Sequence, residues 1–202
     1  MTKRGCGPKG CPNKLTFDRQ RIPNPLVQST LYRETFQSGT ATIAPNYRFP
    51  TGWTLPGSPY APTNEWTVYF DSGVLFPVSN VSGASGAKAL LFANNDLAEN
   101  IVTAIPFSTV GFTNLTIDLL QYRKTGSPTL TIEWSTDNAT WTDAGLVNAT
   151  DDDAWHQVAT MSLPSGAENK ANIYIRFRTT ANDGGGSDIF FAVDDLTIKG
   201  YS

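Results

Sequence analysis

The stretch NIYIRFRTT, residues 172–180, is the part of the sequence that best indicates the fold class. Apolar residues at positions 173, 175 and 177 alternate with tyrosine or arginine at positions 174, 176 and 178. Successive side chains of a β-strand point to opposite faces of the sheet, so this period of two predicts a half-buried antiparallel strand.

Segments of similar character recur through the rest of the chain. IFFAVDDLTI (189–198) predicts a last, more fully buried strand, and LTIDLLQYRK (115–124) with TLTIEWST (129–136) predicts a β-hairpin around the turn TGSP. Further strands are predicted at 31–36, 66–76, 88–93, 101–107 and 155–161. No segment has a convincing helical period. The sequence therefore predicts an all-β fold, an antiparallel jelly-roll β-sandwich with an extended N-terminal arm.

The composition narrows the classes of function. The 202 residues are 40% hydrophobic and 11% aromatic, which is enough to fill the core of one sandwich domain. A single histidine and two cysteines argue against histidine-rich metal sites, hydrolase triads and zinc ribbons. No run approaches the roughly 18 apolar residues of a membrane helix, so no membrane partner is expected.

The first 30 residues differ from the remainder in charge and pattern. Residues 1–21 carry six basic residues and one acidic residue, whereas the remainder carries nine basic and seventeen acidic residues. Glycine and proline interrupt this segment, which has no apolar period. We therefore divide the chain into a basic extended arm, residues 1–30, and a jelly-roll domain, residues 31–202. The basic residues of the arm are Lys3, Arg4, Lys9, Lys14, Arg19 and Arg21.

The partner expected for this arm is a protein surface. The chain has a pI near 5.1 and the charges of the arm have no interleaved aromatic residue beyond Phe17, so an acidic protein surface is favoured over nucleic acid. Cys6 and Cys11 also lie in the arm. Free thiols are expected for a protein made in the cytoplasm, and a disulfide or a metal site shared with another copy are the alternatives.

Four landmarks of the domain, taken in order, resemble the jelly-roll accessory domains of bacterial extracellular proteins, akin to MAM domains and galactose-binding-like carbohydrate modules. They are Glu34–Phe36, Thr51–Trp53, STDNATW (135–141) and FAVDDLTI (191–198). The resemblance covers about residues 31–200. It implies a sandwich with a binding role, although the disulfides of MAM domains are absent because both cysteines lie in the arm.

The resemblance also implies one structural calcium ion. In galactose-binding-like modules the first and last strands lie close together and can share a calcium ion. This makes Glu34 and Asp195 ligands, with Asp194 beside them and a carbonyl group near Thr35 or Gly39. Ca²⁺ takes six to eight oxygen ligands, commonly with several carboxylates. The alternative is that one aspartate caps a loop and the other is solvated. No cofactor is required for the fold.

Two aromatic residues are the candidates for glycan binding. Trp141 follows the polar turn 137–140, and it and Tyr122 are the residues we expect to stack on a sugar ring. The alternative for each is a role in the core or in anchoring a loop. The sequence has no G-x-S-x-G nucleophile elbow and no motif that supports a glycosidase carboxylate pair, so no catalytic residue and no enzymatic activity are expected.

The leading functional expectation is a non-enzymatic structural protein of a virus (phage) particle. A module that resembles extracellular domains but begins with a basic arm and has no export signal would reach the outside within a virion. It would be an auxiliary capsid, decoration, head-fibre or tail component. Its arm would bind other virion proteins or copies of itself, and its sandwich would face outward. The alternative is a carbohydrate-binding module of an extracellular bacterial protein, with cell-surface glycans as partners.

Overall fold

A computed structural model describes residues 25–36, 68–71, 89–94, 101–103, 106–127, 129–179 and 189–202. Eleven strands lie within these residues, with one 3₁₀ turn at Ser165–Ala167. The strands are β1 Gln28–Glu34, β2 Val68–Asp71, β3 Ala89–Asn94, β4 Ile101–Thr103, β5 Thr113–Arg123, β6 Leu130–Ser135, β7 Thr142–Asp143, β8 Ala154–Gln157, β9 Met161–Ser162, β10 Tyr174–Thr179 and β11 Ile189–Tyr201. The basic residues of the arm, both cysteines and Gly39 lie outside the described residues.

The strands form two antiparallel sheets, which confirms the predicted all-β jelly-roll sandwich. The larger sheet has seven strands in the order β2-β3-β11-β5-β8, with β1 paired to β11 and β9 paired to β5. The smaller sheet has four strands in the order β4-β10-β6-β7. Within the described residues no helix is long and apolar enough to cross a bilayer.

The long strand β11 connects most of the larger sheet. Its first half pairs with β3, its second half pairs with β1, and β5 runs along its other edge. The two ends of the domain meet there, because Val27 and Ser202 exchange two backbone hydrogen bonds of 3.1 Å. Since β1 begins at Gln28, the sheet starts inside the last residues that the sequence analysis assigned to the arm.

The core lies between the two sheets. Ile173, just before β10, and Ile175 and Phe177 within it are fully buried, and the residues between them are half-buried, as the alternation predicts. Apolar side chains of β5, β6 and β11 pack into the same cluster. They are Leu115, Ile117, Leu119, Leu130, Ile132, Trp134, Val193, Leu196 and Ile198.

The predicted hairpin of residues 115–124 and 129–136 is wrong, although both segments are strands. β5 pairs with strands of the larger sheet, whereas β6 pairs with β10 and β7 of the smaller sheet. The side chain of Asn148 takes the place of a neighbouring strand at the start of β6. Its Nδ2 donates to the carbonyl group of Leu130 at 2.9 Å, and its Oδ1 accepts from the Leu130 amide at 3.0 Å and from the Gln121 side chain at 2.8 Å. The chain therefore crosses from one sheet to the other at this turn.

Candidate functional site

Four side chains of the smaller sheet and its adjoining turn form a cluster that we call the arginine–tryptophan platform: Glu133, Trp141, Arg176 and Arg178. The pairing of β6 with β10 places Arg176 opposite Glu133, and Arg178 lies two residues further along β10. These positions alternate with the core residues Ile132, Ile175 and Phe177, so they belong to the opposite, outer face of the sheet.

Glu133 is buried between the two arginines. Its Oε2 accepts hydrogen bonds from Arg176 Nε at 2.5 Å and from Arg178 Nε at 3.2 Å, and its Oε1 lies 3.2 Å from Arg178 Nη2. Burial by itself would raise the pKa of Glu133, but the hydrogen bonds and charges of the two arginines outweigh burial and hold the pKa below its usual value. Glu133 is therefore ionised at neutral pH and fixes both guanidinium groups.

Trp141 lies against Arg176. The guanidinium carbon of Arg176 stands 4.2 Å from the centroid of the Trp141 ring, which is a cation–π contact, and the ring remains half-buried. The preceding turn is held by Asp137, whose Oδ1 accepts from the amides of Ala139 at 2.8 Å and Thr140 at 2.7 Å. These two backbone hydrogen bonds, together with one donated by the Ser135 hydroxyl group, lower the pKa of Asp137. Trp141 is thus held at both its backbone and its ring.

The second aromatic candidate, Tyr122, lies elsewhere. Tyr122 is on β5 of the larger sheet, where its ring centroid is 5.8 Å from that of the buried Trp155. Burial raises the pKa of Tyr122, and the nearby carboxylates of Asp153 and Asp152 raise it further. The structure therefore places Trp141 and Tyr122 on different sheets and does not combine them into one surface.

Sequence reasoning did not identify the arginines and the glutamate of the platform as site residues. The available signal was the polar half of the alternation in 172–180, which places two arginines on the exposed side of one strand. Their shared partner Glu133 lies more than forty positions earlier, so only the strand pairing reveals the cluster.

The predicted metal candidates lie where β1 meets β11. Asp194 is fully buried, and its Oδ1 accepts a 2.8 Å hydrogen bond from the amide of Asp195. Its Oδ2 is buried and has no hydrogen-bond partner among the described residues. Burial raises the pKa of Asp194 to about 8, and the negative charges of Asp195 and Glu34 add to the rise.

The other two candidates have different surroundings. Glu34 lies opposite Leu196 in the strand pairing, and its Oε1 accepts from the amide of Phe36 at 2.7 Å. Asp195 has a positive φ of 50° at an irregularity in the β5–β11 pairing, and its Oδ1 lies 3.5 Å from Arg33 Nη2. Asp195 also lines an open groove of about 490 Å³ with Arg33, Asp118 and Lys199.

A calcium ion fits part of the predicted ligand set. A buried carboxylate oxygen without a donor, beside a second carboxylate, is an environment that a hard cation stabilises. Asp194 and Glu34 meet this description, whereas Asp195 faces an arginine. Within the described ranges, no three histidine, cysteine, aspartate or glutamate side chains form a group that could hold one ion. Any further ligands would have to be oxygen atoms of another kind.

Comparison with known proteins gives structural relatives but no sequence family. No family profile and no curated protein matches the sequence. A cleaved adhesin domain of Lys-gingipain from Porphyromonas gingivalis, its K3 domain, has a TM-score of 0.54 at 14% identity, covering 84% of this chain and 98% of that domain. Another cleaved adhesin domain of the same protein has a TM-score of 0.53 at 11% identity, with the same coverage of both chains.

A xylan-binding CBM22-1 domain from Paenibacillus barcinonensis Xyn10C gives a TM-score of 0.46 at 17% identity, covering 85% of this chain and 94% of that domain. At these identities the likeness concerns the fold. The chain therefore shares the jelly-roll fold of the adhesin domains over most of its length.

Proposed function

We propose that the chain is a non-enzymatic glycan-binding module and that the arginine–tryptophan platform is its binding site. The observation that carries this proposal is the half-buried ring of Trp141, fixed on the outer face of a sheet by the Arg176 guanidinium group 4.2 Å from its centroid. The likeness in fold to adhesin domains supports a binding role for the sandwich.

The platform combines the two chemical features that sugar recognition needs. An aromatic ring offers an apolar face on which the C–H groups of a pyranose ring can stack, and guanidinium N–H groups donate to sugar oxygens. Because Glu133 and the 135–140 turn hold these groups in place, binding costs little side-chain entropy. The face of Trp141 that Arg176 does not cover is the surface proposed for stacking.

The test is binding of the fluorescently labelled protein to a broad glycan array. We expect saturable binding to one class of glycan and its loss in Trp141→Ala. Tyr122→Ala is the matched variant on the other sheet and should bind like the wild type. Loss of binding in Tyr122→Ala alone would move the site to the larger sheet, and a wild-type protein that binds no glycan would refute the proposal.

We propose in addition that Asp194 and Glu34 contribute to one structural calcium site, with Asp195 outside the ligand set. The support is the donor-free buried Oδ2 of Asp194 beside a second carboxylate. A bound calcium ion would neutralise this buried negative charge and tie β1 to β11. Isothermal titration calorimetry of the EGTA-treated protein with CaCl₂ should show one site per chain in the wild type and none in Asp194→Asn.

The virion role belongs to a second proposal, in which the basic arm tethers the sandwich to a particle. Its support is the contrast between six basic residues among positions 1–21 and the acidic remainder. Because β1 begins at Gln28, deletion of residues 1–24 removes the arm and keeps the strand. The solution mass of the full chain should show defined oligomers and that of the shortened chain a monomer. Unchanged mass and unchanged incorporation into particles would refute the tether.

A further inference from the structure

We infer that the platform selects acidic saccharides, because the terminal nitrogens of Arg176 are positioned to bind the carboxylate of a uronic acid. This inference deepens the proposed glycan-binding function and rests on it. It concerns which class of glycan the site prefers.

The argument begins with the hydrogen-bond donors of Arg176. A guanidinium group has five N–H donors, and the one on Nε is used by Glu133 Oε2. The four donors on the two terminal nitrogens have no hydrogen-bond partner among the described residues. The Arg176 side chain is 18% exposed and its terminal nitrogens are not among the buried atoms without a partner, so a ligand at the surface can reach these donors. An acceptor supplied by a ligand would satisfy them.

The second step is that this guanidinium group is held rigidly. Glu133 fixes the Nε edge, and the Trp141 ring lies beside the guanidinium carbon. The plane and direction of the two terminal NH₂ groups, which we call the fork, are therefore set before a ligand arrives. Two parallel N–H groups at fixed spacing match the two oxygens of a carboxylate. A preorganised fork loses little entropy on binding, which increases its preference for a planar anion.

The third step is that nearby carboxylates do not occupy the fork. Glu133 is shared with Arg178, so its carboxylate is already engaged by both arginines through the Nε edge of Arg176 and through Arg178. Asp143 lies opposite Glu133 on β7, but it is exposed and its Oδ1 accepts from the amide of Gly145 at 2.7 Å. The position that fits an anion is therefore beside Trp141, on the side of the ring that Arg176 covers.

An acidic oligosaccharide meets both requirements with two of its residues, because Arg176 covers one face of the Trp141 ring and the stacking surface is the other face. One pyranose ring presents C–H groups to the uncovered aromatic face, and a neighbouring uronic acid presents the two coplanar oxygens of its C6 carboxylate to the fork. A neutral hexose carries one hydroxyl at C6, which can accept from the fork through a single oxygen and without charge assistance.

The test uses matched pairs of ligands. Oligosaccharides of galacturonate, glucuronate, mannuronate and guluronate are each compared with their methyl esters, which keep the skeleton and remove the negative charge. Isothermal titration calorimetry should show at least one acid bound about tenfold more tightly than its ester by the wild-type protein, as expected for a charge-assisted bidentate contact.

Two variants distinguish the effect of the paired N–H donors from the effect of positive charge alone. Arg176→Lys keeps the positive charge but loses the paired donors, so affinity for the acid should fall more than affinity for the ester, and the preference should drop to about twofold or less. Arg33→Lys, on the larger sheet, is the matched control and should keep the full preference.

Each outcome decides the inference. Equal binding of acids and esters, a preference for esters, or an undiminished preference in Arg176→Lys overturns it. If the wild-type protein binds neutral glycans on the array but none of the uronates, the inference fails while the proposed function stands. If it binds no glycan of any kind, both fail.

Discussion

Two buried carboxylates, one in each sheet, have opposite environments. Glu133 of the smaller sheet accepts hydrogen bonds from Arg176 and Arg178, and its pKa is lowered. Asp194 of the larger sheet has one oxygen without a donor from any described residue and a second carboxylate nearby, and its pKa is raised to about 8. Both are 7% exposed or less and burial acts to raise the pKa of each, so the lowered pKa of Glu133 comes from its two arginine partners.

The difference comes from what lies across the sheet from each carboxylate. β10 provides two arginines two residues apart, which flank Glu133 on the same face. Across from the Asp194 region, β1 provides Glu34, and the neighbouring Arg33 pairs with Asp195. A carboxylate with matched partners organises a surface, whereas one without them makes a site that requires a proton or a cation. The predictions below test this contrast.

The largest effect is expected at Asp194. In EGTA at pH 7, Asp194→Asn should raise the free energy of unfolding by at most about 4 kcal/mol. The folded chain keeps this carboxyl protonated because its pKa is about 8, whereas the unfolded chain, with a pKa of 3.8, releases the proton and is thereby favoured at pH 7. Asparagine has no such proton to release. Urea denaturation followed by tryptophan fluorescence measures this change. The control is Asp118→Asn, since Asp118 accepts from Lys199 at 2.9 Å and its replacement should not stabilise the protein. A less stable Asp194→Asn variant under these conditions would contradict the contrast.

The second effect is expected at Glu133. Glu133→Gln should lower the free energy of unfolding by roughly 2–3 kcal/mol, because the ion pairs that Glu133 makes with the partly buried Arg176 and Arg178 are lost. Glu168→Gln is the matched control. Glu168 accepts from the amide of Asn114 at 2.7 Å, which glutamine can also do, so the loss should stay below about 0.5 kcal/mol. Equal losses in the two variants would show that the ion cluster adds no stability.

The third effect is the pH dependence of stability. The contribution of Asp194 to the free energy of unfolding is fully present below its unfolded-chain pKa of 3.8 and is lost as pH rises toward its folded-chain pKa of about 8. The free energy of unfolding of the EGTA-treated wild type should therefore fall by about 1 kcal/mol per pH unit between pH 5 and 7. The contribution of Glu133 has the opposite sign. It is present above pH 4.5 and is lost as pH falls through the lowered pKa.

Urea denaturation from pH 3 to 8.5 measures both limbs of this profile. Asp194→Asn should flatten the decline above pH 5, and Glu133→Gln should reduce the loss below pH 4.5. A wild-type profile without a decline between pH 5 and 7 would refute the assigned environment of Asp194.

The smallest change in stability is expected at Trp141. Trp141→Ala should lower the free energy of unfolding by about 1 kcal/mol, because the ring is only half-buried and the substitution removes its cation–π contact with Arg176. Trp134 is the matched core residue, and Trp134→Ala should cost about 3 kcal/mol or more. Thermal unfolding of the two variants side by side checks this order. A loss in Trp141→Ala as large as that in Trp134→Ala would make Trp141 a core residue and leave the platform without a stacking surface.

Local pattern was sufficient for the strands and insufficient for their partners. The alternation of residues 172–180 determines which side chains of β10 are buried, because a period of two fixes the two faces of a strand. The same reasoning placed strands at 115–124 and 129–136 correctly but joined them as a hairpin. Turn residues indicate where the chain can reverse direction, but they do not determine which strand pairs with β6. In the structure the side chain of Asn148 occupies part of the pairing edge of β6.

The candidate site divides in the same way. From the sequence by itself, Trp141 could be identified as the residue that follows a polar turn, and Glu34, Asp194 and Asp195 as acidic residues on the first and last strands. Only the tertiary structure decided that Arg176 lies against Trp141 and that Asp194 is buried while Asp195 pairs with Arg33. The physical reason is that charge and stacking depend on distance through space, and antiparallel pairing brings together residues that are distant along the chain, such as Arg176 and Glu133.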